Sequence, residues 1–255
     1  MSGTTTARTA VVTGANKGIG RAIARRLGQA GHTVYLGARD EQRGRAAERE
    51  LRAEGLDVRF LHLDVTDEAS AASAAERIAQ EAGHLDALVN NAGVGGPLST
   101  PSETPADEVR RVYETNVFAV ITVTNALLPL LRRAPAGRIV NVSSVLGSLA
   151  HAAARKDPTG VFPDGVFPAH LAYNTSKAAL NAVTVTYANE LRDTGILVNA
   201  VSPGWVATDI NGHQGALTPE QGARIPVLLA TLGEGGPTAA FVGEDGTAEG
   251  RLLDW

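Results

Sequence analysis

The stretch T-A-V-V-T-G-A-N-K-G-I-G, residues 9–20, joins a short apolar run to a glycine-rich turn that precedes a helical pattern. Residues 9–13 carry the β-branched and apolar side chains of a buried strand, and Gly14, Gly18 and Gly20 follow directly. Glycines let a backbone approach a pyrophosphate closely, and a helix N-terminus presents N–H donors and partial positive charge. The stretch predicts a strand–turn–helix unit that binds a nucleotide. Its spacing is not G-x-G-x-x-G, however, and a tight turn without a ligand is the alternative.

Apolar runs and Ala/Arg/Glu-rich helical patterns alternate along most of the chain. Strands are predicted at residues 9–13, 33–38, 58–63, 87–90, 138–143, 197–202 and 240–242. Helices are predicted near residues 18–30, 41–54, 67–82, 105–133, 173–193 and 219–230, with a late kink at Pro129. This alternation implies crossover connections and a parallel sheet covered on both faces. The sequence predicts a single doubly wound, Rossmann-type α/β domain over residues 1–255, with about seven parallel strands flanked by helices.

Two segments contain too many glycines and prolines for regular elements. Residues 145–170 precede the helix predicted at 173–193, and residues 203–218 open with Pro-Gly. Both follow predicted strand ends, where open α/β sheets bind ligands. We expect the first segment to be an insertion that forms a pocket wall and the second to be a mobile substrate lid. Ordinary surface loops are the alternative.

Composition narrows the class of protein. The net charge of −4 gives no basic footprint for nucleic acid, and the absence of cysteine excludes disulfides and thiolate chemistry. No run of 18 apolar residues suggests a membrane span, and the polar N-terminus lacks the apolar core of a signal peptide, so we expect a cytoplasmic protein. His151, His170 and His213 share no spacing typical of metal ligands, and no metal is expected.

The end of the second predicted strand indicates which nucleotide is bound. An acidic residue at this position would accept a hydrogen bond from the ribose 2′-OH of NAD, but Arg39 stands here instead. Lys17, in the glycine turn, is a second cation within reach of the same region. Two cations favour a 2′-phosphate, so NADP(H) is the predicted cofactor. Asp40 is assigned to capping the next helix, and plain surface charges are the alternative reading of Lys17 and Arg39.

Tyr173 and Lys177, in Y-N-T-S-K, stand one helical turn apart and share a helix face. An unperturbed tyrosine, with a pKa of about 10, is a poor acid or base at neutral pH. A cation beside it favours the phenolate and lowers that pKa, which makes a proton-transfer site. Such pairs also occur by chance on solvated helices, but N-N-A-G at 90–93, Asn116 and N-V-S-S at 141–144 accompany this one.

These motifs together resemble those of the short-chain dehydrogenase/reductase family. The resemblance rests on T-G-x-x-x-G-I-G at 13–20, L-D-V at 63–65, N-N-A-G, Asn116, S-S at 143–144, Y-x-x-x-K at 173–177 and P-G-W-V-x-T at 203–208. Within the family the chain is most similar to the NADPH-dependent carbonyl reductases. G-A-N-K-G-I-G, the A-R-D-x-x-R-G-x-A-A stretch and the terminal Asp-Trp support that narrower resemblance.

The resemblance implies roles for individual residues. Tyr173 would be the general acid–base, Lys177 would lower its pKa and hold the nicotinamide ribose, Ser144 would hydrogen-bond the carbonyl oxygen, and Asn116 would order a water relay. Ser144 is chosen over Ser143 because the second serine matches the catalytic serine of the family. Successive strand residues point to opposite faces, so only one of the two should serve. The implied cofactor-binding residues are Gly14, Asn16, Lys17, Gly18, Ile19, Gly20, Arg39, Asp64, Val65, Asn91, Ala92, Gly93, Tyr173, Lys177, Pro203, Gly204, Val206 and Thr208.

The expected reaction is hydride transfer from NADPH to a ketone, aldehyde or quinone, which gives an alcohol. The candidate pocket walls are Val94, Leu146, Phe162, Phe167 and Trp205. Anchoring of the loops to the core is an equal alternative for these apolar side chains. A catalytically silent NADP(H)-binding regulator and a different reaction on the same scaffold are the rival functions. The insertion is shorter than in monomeric carbonyl reductases, so both a monomer and a homodimer stay open.

Overall fold

The computed structural model describes residues 8–160, 162 and 165–255. Eight strands form one sheet in the order β3-β2-β1-β4-β5-β6-β7-β8. The strands are β1 (Thr9–Val12), β2 (Thr33–Ala38), β3 (Val58–His62), β4 (Ala87–Asn90), β5 (Arg138–Val142), β6 (Leu197–Ser202), β7 (Phe241–Gly243) and β8 (Arg251–Leu252). All neighbouring pairs from β3 to β7 are parallel, and β8 pairs antiparallel with β7.

Helices cover both faces of the sheet. They are α1 (Gly18–Gln29), α2 (Glu41–Ala53), α3 (Glu68–Glu81), α4 (Ala106–Tyr113), α5 (Ala119–Leu131), α6 (Leu149–Ala154), α7 (Leu171–Glu190), α8 (Pro219–Gly222) and α9 (Arg224–Ala230). The side chain of Asp40 accepts a hydrogen bond from the Arg43 amide at the start of α2, which confirms the predicted cap. The parallel sheet with helices on both of its faces confirms the predicted doubly wound α/β fold.

Alternate residues of each buried strand supply the two halves of the core. Ala10 and Val12 of β1 face one cluster with α1 and α2, whereas Val11 faces the other with α3 and α5. Every residue of β1, β2, β4 and β5 is buried, as parallel strands covered on both faces require.

The structure corrects the predicted elements in three places. The antiparallel strand β8 was not predicted. The helix predicted at 105–133 is interrupted by a π-helical turn at Glu114–Phe118, whereas α5 passes through Pro129 without ending. The 145–170 segment contains a 3₁₀ turn at Val145–Gly147 and the short helix α6.

One helical run of the described residues, Ala106–Leu131, is long and apolar enough to cross a membrane by composition alone. More than half of its apolar window is buried, with Val123 and Leu127 packed in the core beneath the sheet. Core helices of soluble proteins pass the same test, so this run is weak evidence for a membrane span.

Candidate active site

The carboxyl ends of the central strands bring the sequence-predicted residues to one edge of the sheet. β1 lies between β2 and β4, so the direction of winding reverses between β1 and β4. The glycine turn follows β1, N-N-A-G begins at the last residue of β4, Ser144 follows β5 and Pro203 follows β6. Open α/β sheets bind ligands at this reversal, outside the carboxyl ends of the strands.

The glycine turn has a backbone that only glycine adopts without strain at two positions. Gly14 and Gly18 have φ of +62° and +55°. At Gly20 a larger residue would not fit, because an added Cβ would lie 2.5 Å from both the Gly14 carbonyl oxygen and the side-chain nitrogen of Asn91. Asn91 donates to the carbonyl oxygens of Thr13 and Gly14 at 2.9 and 3.3 Å, which ties the turn to the end of β4.

The N-terminus of α1 fits a phosphate group. Its cap residue, Lys17, makes no side-chain capping hydrogen bond, and the first turn carries no acidic residue. By contrast, Asp40 and Asp67 cap α2 and α3 with their own carboxylates. The N–H groups of the first turn of α1, together with the dipole of the helix, are the donors that a pyrophosphate accepts.

Tyr173 and Ser144 face each other at the carboxyl end of β5. Tyr173 lies in the first turn of α7, and its hydroxyl is close enough to the side chain of Ser144 for that side chain to act on the tyrosine pKa. Burial raises the pKa of Tyr173, and the bond to Ser144 opposes that shift only partly. The pKa of Tyr173 therefore stands above its ordinary value, and the lowering predicted from Lys177 does not outweigh burial in this structure. The reason is desolvation of the phenol, and its consequence is a hydroxyl that is protonated at neutral pH.

Lys177 is buried one helical turn after Tyr173. Its Nζ donates to the Val142 carbonyl oxygen at 2.8 Å and lies 5.7 Å from the centroid of the Tyr173 ring. Only 5% of the residue is exposed, and burial lowers the pKa of Lys177 to about 8. The ammonium is still mostly protonated at pH 7, so it places a positive charge beside the phenol.

Asn116 lies at the centre of the π-helical turn and is fully buried. Its amide accepts from the Val94 amide at 2.9 Å and donates to the Val94 carbonyl at 3.0 Å and to Ser176 Oγ at 3.0 Å. A Cβ added to Gly93 would lie 3.3 Å from Asn116 Oδ1 and 3.7 Å from Lys177 Nζ. Asn116, Lys177 and the end of N-N-A-G therefore meet around one point.

The two serines after β5 have different surroundings. Ser143 is buried, and its hydroxyl donates to Asn181 Oδ1 at 2.6 Å inside the protein. Ser144 is partly exposed, accepts from the Leu146 amide at 3.2 Å and reaches Tyr173. Of the two hydroxyls, only that of Ser144 faces the tyrosine.

The residues assigned to the adenosine end lie at the ends of β1 to β4. Val65 and Ala92 line one small cleft with Thr13 and Asn90. The pKa of Asp64 is lowered mainly by hydrogen bonds from Thr66, and the charge of the exposed Arg39 adds to the shift, so Arg39 and Asp64 are near neighbours. Lys17 does not point freely to this region, because its ammonium forms an ion pair with Asp209.

The 203–218 loop covers the glycine turn. Ala207 N donates to Leu217 O at 2.8 Å and Leu217 N to Trp205 O at 3.0 Å, which closes the loop on itself. Thr208 Cγ2 lies 3.4 Å from the Cβ position at Gly18. Thr208 is therefore in contact with the turn.

The five candidate pocket residues separate into two groups. Leu146 and Phe162 pack against the buried cluster of Val145, Ala200, Phe241 and Leu253, so they anchor the 145–170 segment to the core. Phe167 contacts Phe162, with ring centroids 6.4 Å apart. Trp205 is 39% exposed, and Val94 is held by Asn116 beside the site.

Sequence reasoning missed three residues that shape the site. Asp209 pairs with Lys17, and Ser176 links Asn116 to the Tyr173 carbonyl oxygen, to which it donates at 2.7 Å. Glu244 is buried beside Gly204, where Arg224 pairs with it. No local motif marks Asp209 or Glu244, and Ser176 lies within Y-N-T-S-K but meets Asn116 only in the folded chain.

The sequence is similar to known members of one enzyme family. A family model of short chain dehydrogenases matches residues 8–155, and one described as enoyl-(acyl carrier protein) reductase matches residues 159–245. Carbonyl reductase (NADPH) 3 of Mus musculus is 39% identical, with 88% of this chain and 91% of that protein covered. Short-chain dehydrogenase/reductase 1 of Saponaria officinalis is 38% identical, with 92% and 93% covered.

Two solved structures are similar over almost their whole length. The NADPH-bound carbonyl reductase from chicken fatty liver has a TM-score of 0.81 and 28% identity, with 98% of this chain and 99% of that chain covered. Salutaridine reductase from Papaver somniferum has a TM-score of 0.79 and 32% identity, with 92% and 99% covered.

Proposed function

Because the chain belongs to the short-chain dehydrogenase/reductase family, we propose that it is an NADP(H)-dependent carbonyl reductase. It reduces a ketone, aldehyde or quinone to the alcohol. The observation that carries the proposal is the placement of Tyr173 beside Ser144, with Lys177 one turn away and the uncapped N-terminus of α1 at the same end of the strands.

The residues at the carboxyl edge fit NADP(H). The glycine turn and the N-terminus of α1 hold the pyrophosphate, and Arg39 and Lys17 bind the 2′-phosphate. Asp64 and Val65 flank the adenine, and Asn91 to Gly93 line the cleft towards the nicotinamide. Pro203, Gly204, Val206 and Thr208 cover that end, and the 145–170 segment forms a wall of the substrate pocket.

Tyr173 and Ser144 act on the carbonyl oxygen of the substrate. Both hydroxyls donate hydrogen bonds to this oxygen and so stabilise the negative charge that develops on it. NADPH, when bound, supplies the hydride that reduces the carbonyl carbon. Tyr173 gives up its phenolic proton to the oxygen, and Lys177 stabilises the phenolate by its charge. Asn116 and Ser176 hold the first turn of α7 in place, because they bind Val94 and the Tyr173 carbonyl.

A catalytically silent NADP(H) sensor is the rival from another class. A sensor has no need of a tyrosine hydroxyl that is paired with a serine and desolvated beside a buried lysine. We further propose a single-domain cytoplasmic enzyme, monomeric or dimeric, that acts on small molecules rather than on nucleic acid or membranes. The net charge of −4 supports the exclusion of nucleic acid.

A panel of aromatic ketones, aldehydes, quinones and keto esters tests the proposed reaction. We expect substrate-dependent oxidation of NADPH, followed by absorbance at 340 nm, to be at least about tenfold faster than that of NADH. The reason is that Arg39 stands where a carboxylate would bind the 2′-OH. Tight binding of NADPH without turnover on any member of the panel would favour the sensor instead.

The buried Lys177 predicts opposite pH dependences for activity and stability. We expect kcat/KM for NADPH to fall as pH rises through about 8, since Lys177 then loses its charge. The folded protein binds fewer protons at this lysine than the unfolded chain does, so the free energy of unfolding rises with pH over the same range. This window ends at about pH 9.5, where tyrosines begin to titrate.

Both quantities are measured on one sample, as initial rates and as urea midpoints between pH 7 and about 9.5. The Lys177→Met variant is the matched control, because it lacks the titrating group and its urea midpoint should not show this rise. A loss of activity that tracks a loss of stability would contradict the assignment to Lys177.

A further inference from the structure

The tip of the 203–218 loop is fastened to the glycine turn through two side chains. Asp209 begins a short 3₁₀ turn, Asp209–Asn211, and its carboxylate forms an ion pair with the ammonium of Lys17. The preceding residue, Thr208, packs against Gly18. The ion pair between Asp209 and Lys17 is thus a polar contact between the 203–218 loop and the candidate nucleotide site.

Lys17 is an unusual partner for this carboxylate. It is the N-cap residue of α1, makes no capping hydrogen bond, and is more than half exposed. Lys17 and Arg39 are the two cations that we assign to the 2′-phosphate. The Lys17 ammonium cannot form its closest ion pair with the Asp209 carboxylate and with a phosphate at the same time.

Asp209 has a second partner, which makes release of Lys17 possible. His213 Nε2 lies 2.9 Å from Asp209 Oδ1, within the same loop. His213 is held there with φ of +62°, and its amide donates to the Thr208 carbonyl at 2.9 Å. When Lys17 turns to another anion, Asp209 still has a hydrogen-bonding neighbour and solvent around it.

We propose that Asp209 is a specificity-determining residue that competes with the 2′-phosphate of NADP(H) for Lys17. A phosphate carries more negative charge than a carboxylate, so it draws Lys17 away and releases the loop tip from the glycine turn. NAD(H) has no such phosphate and leaves the Lys17–Asp209 pair in place. This inference rests on the NADP(H) binding that forms part of the proposed function.

The competition lowers the affinity for NADP(H) and leaves that for NAD(H) unchanged. Asp209→Asn keeps the size of the side chain and removes its charge. We expect this variant to bind NADPH and adenosine 2′,5′-bisphosphate about two- to fivefold more tightly at low salt, which is the range for an exposed ion pair. Its affinity for NADH and for AMP should be unchanged.

A double-mutant cycle shows whether Asp209 acts through Lys17. Lys17→Gln should weaken NADPH binding, and adding Asp209→Asn to it should bring no further gain. Asp107→Asn is the matched control, because Asp107 is an exposed acid paired with Arg110 on α4, away from the site. All affinities are measured without a carbonyl substrate, by nucleotide fluorescence or calorimetry.

Each outcome decides the inference. Tighter binding of NADPH alone, lost on the Lys17→Gln background, supports competition. Equal weakening of NADPH and NADH in Asp209→Asn would mean that the ion pair only fastens the loop, and unchanged affinities would mean that it does nothing for either nucleotide. Both results overturn the inference while the reductase proposal stands. A native protein that does not prefer NADPH overturns both, whereas failure of carbonyl turnover alone leaves this test intact.

Discussion

Replacement of Tyr173 by phenylalanine is expected to lower the rate of carbonyl reduction by about 10²- to 10⁴-fold, the usual contribution of a positioned general acid. The change removes one hydroxyl and leaves the ring, which packs beneath Lys177 with 5.7 Å between Nζ and the ring centroid. The substrate oxygen then has neither the proton donor nor one of the two hydrogen bonds. NADPH affinity should stay within about twofold, because the glycine turn and Arg39 are untouched.

The measurement is single-turnover reduction of the best substrate from the panel, together with a binding titration of NADPH. Ser144→Ala is the companion variant, and its expected loss of about 10²-fold reflects one missing hydrogen-bond donor. Thr186→Val is a suitable control on the same helix, because the Thr186 hydroxyl is exposed and bonds the Ala182 carbonyl one turn earlier. Undiminished turnover in Tyr173→Phe, with intact NADPH binding, would refute the mechanism.

The direction of the Tyr173 pKa shift differs from the expectation from sequence. A lysine one turn away predicts a lowered pKa, because charge and spacing are visible in the sequence. Burial is not visible there, and it shifts the tyrosine in the opposite direction. The raised pKa keeps the phenol protonated at neutral pH but makes it a weaker acid, so the charge of Lys177 is needed to stabilise the phenolate as the proton leaves.

The strand positions, and a site at the carboxyl ends of the strands, were accessible from sequence because apolar periodicity and the order of motifs along the chain indicate them. Buried parallel strands give continuous apolar runs, and right-handed crossovers leave little choice of topology. The two-residue strand β8 gives no such run. It pairs antiparallel with β7, and the adjoining Leu253 donates its amide to the Phe241 carbonyl at 2.8 Å and packs closely against Gly243. The π-helical turn around Asn116 was also missed, since one extra residue in a turn hardly changes an apolar period.

Residues that meet across long stretches of chain lie beyond single-sequence reasoning. Lys17 and Asp209 are 192 positions apart, and each reads as an ordinary surface charge in its own segment. Glu244 and Arg224 meet beside Gly204 for the same reason. The family resemblance supplied Asn116 and Ser144, but it carried no information on these pairs.

A buried arginine, Arg138, lies at the amino end of β5, which is the end of the strand opposite the candidate active site. Arg138 is 3% exposed and begins the strand that ends beside Ser143 and Ser144. Its guanidinium donates to the carbonyl oxygens of Gly137, Gly195, Leu232 and Gly233 at 2.7 to 3.3 Å. Within the described parts of the chain no carboxylate pairs with it, and burial lowers the pKa of the guanidinium.

Arg138→Met is expected to lower the free energy of unfolding by about 3 kcal/mol or more, because several buried acceptors lose their donor together. In a chain of this size the change corresponds to a fall in Tm of roughly 6–12 °C. Arg138→Lys keeps the charge but offers a point donor in place of a planar fork, so it should recover only part of the loss. The exposed Arg110→Met should be nearly neutral.

Urea and thermal unfolding of the three variants measure the effect, and NADPH titration at low temperature shows whether the folded fraction is native. The carbonyls bound by Arg138 belong to the chain just after α9 and to the turn before β6. Loss of the hydrogen bonds from Arg138 to these carbonyls should lower the free energy of unfolding without changing the affinity of the folded molecules for NADPH. The reason is that the candidate active site lies at the other end of the strands. Equal stability of Arg138→Met and Arg110→Met would show that water replaces the guanidinium at these carbonyls.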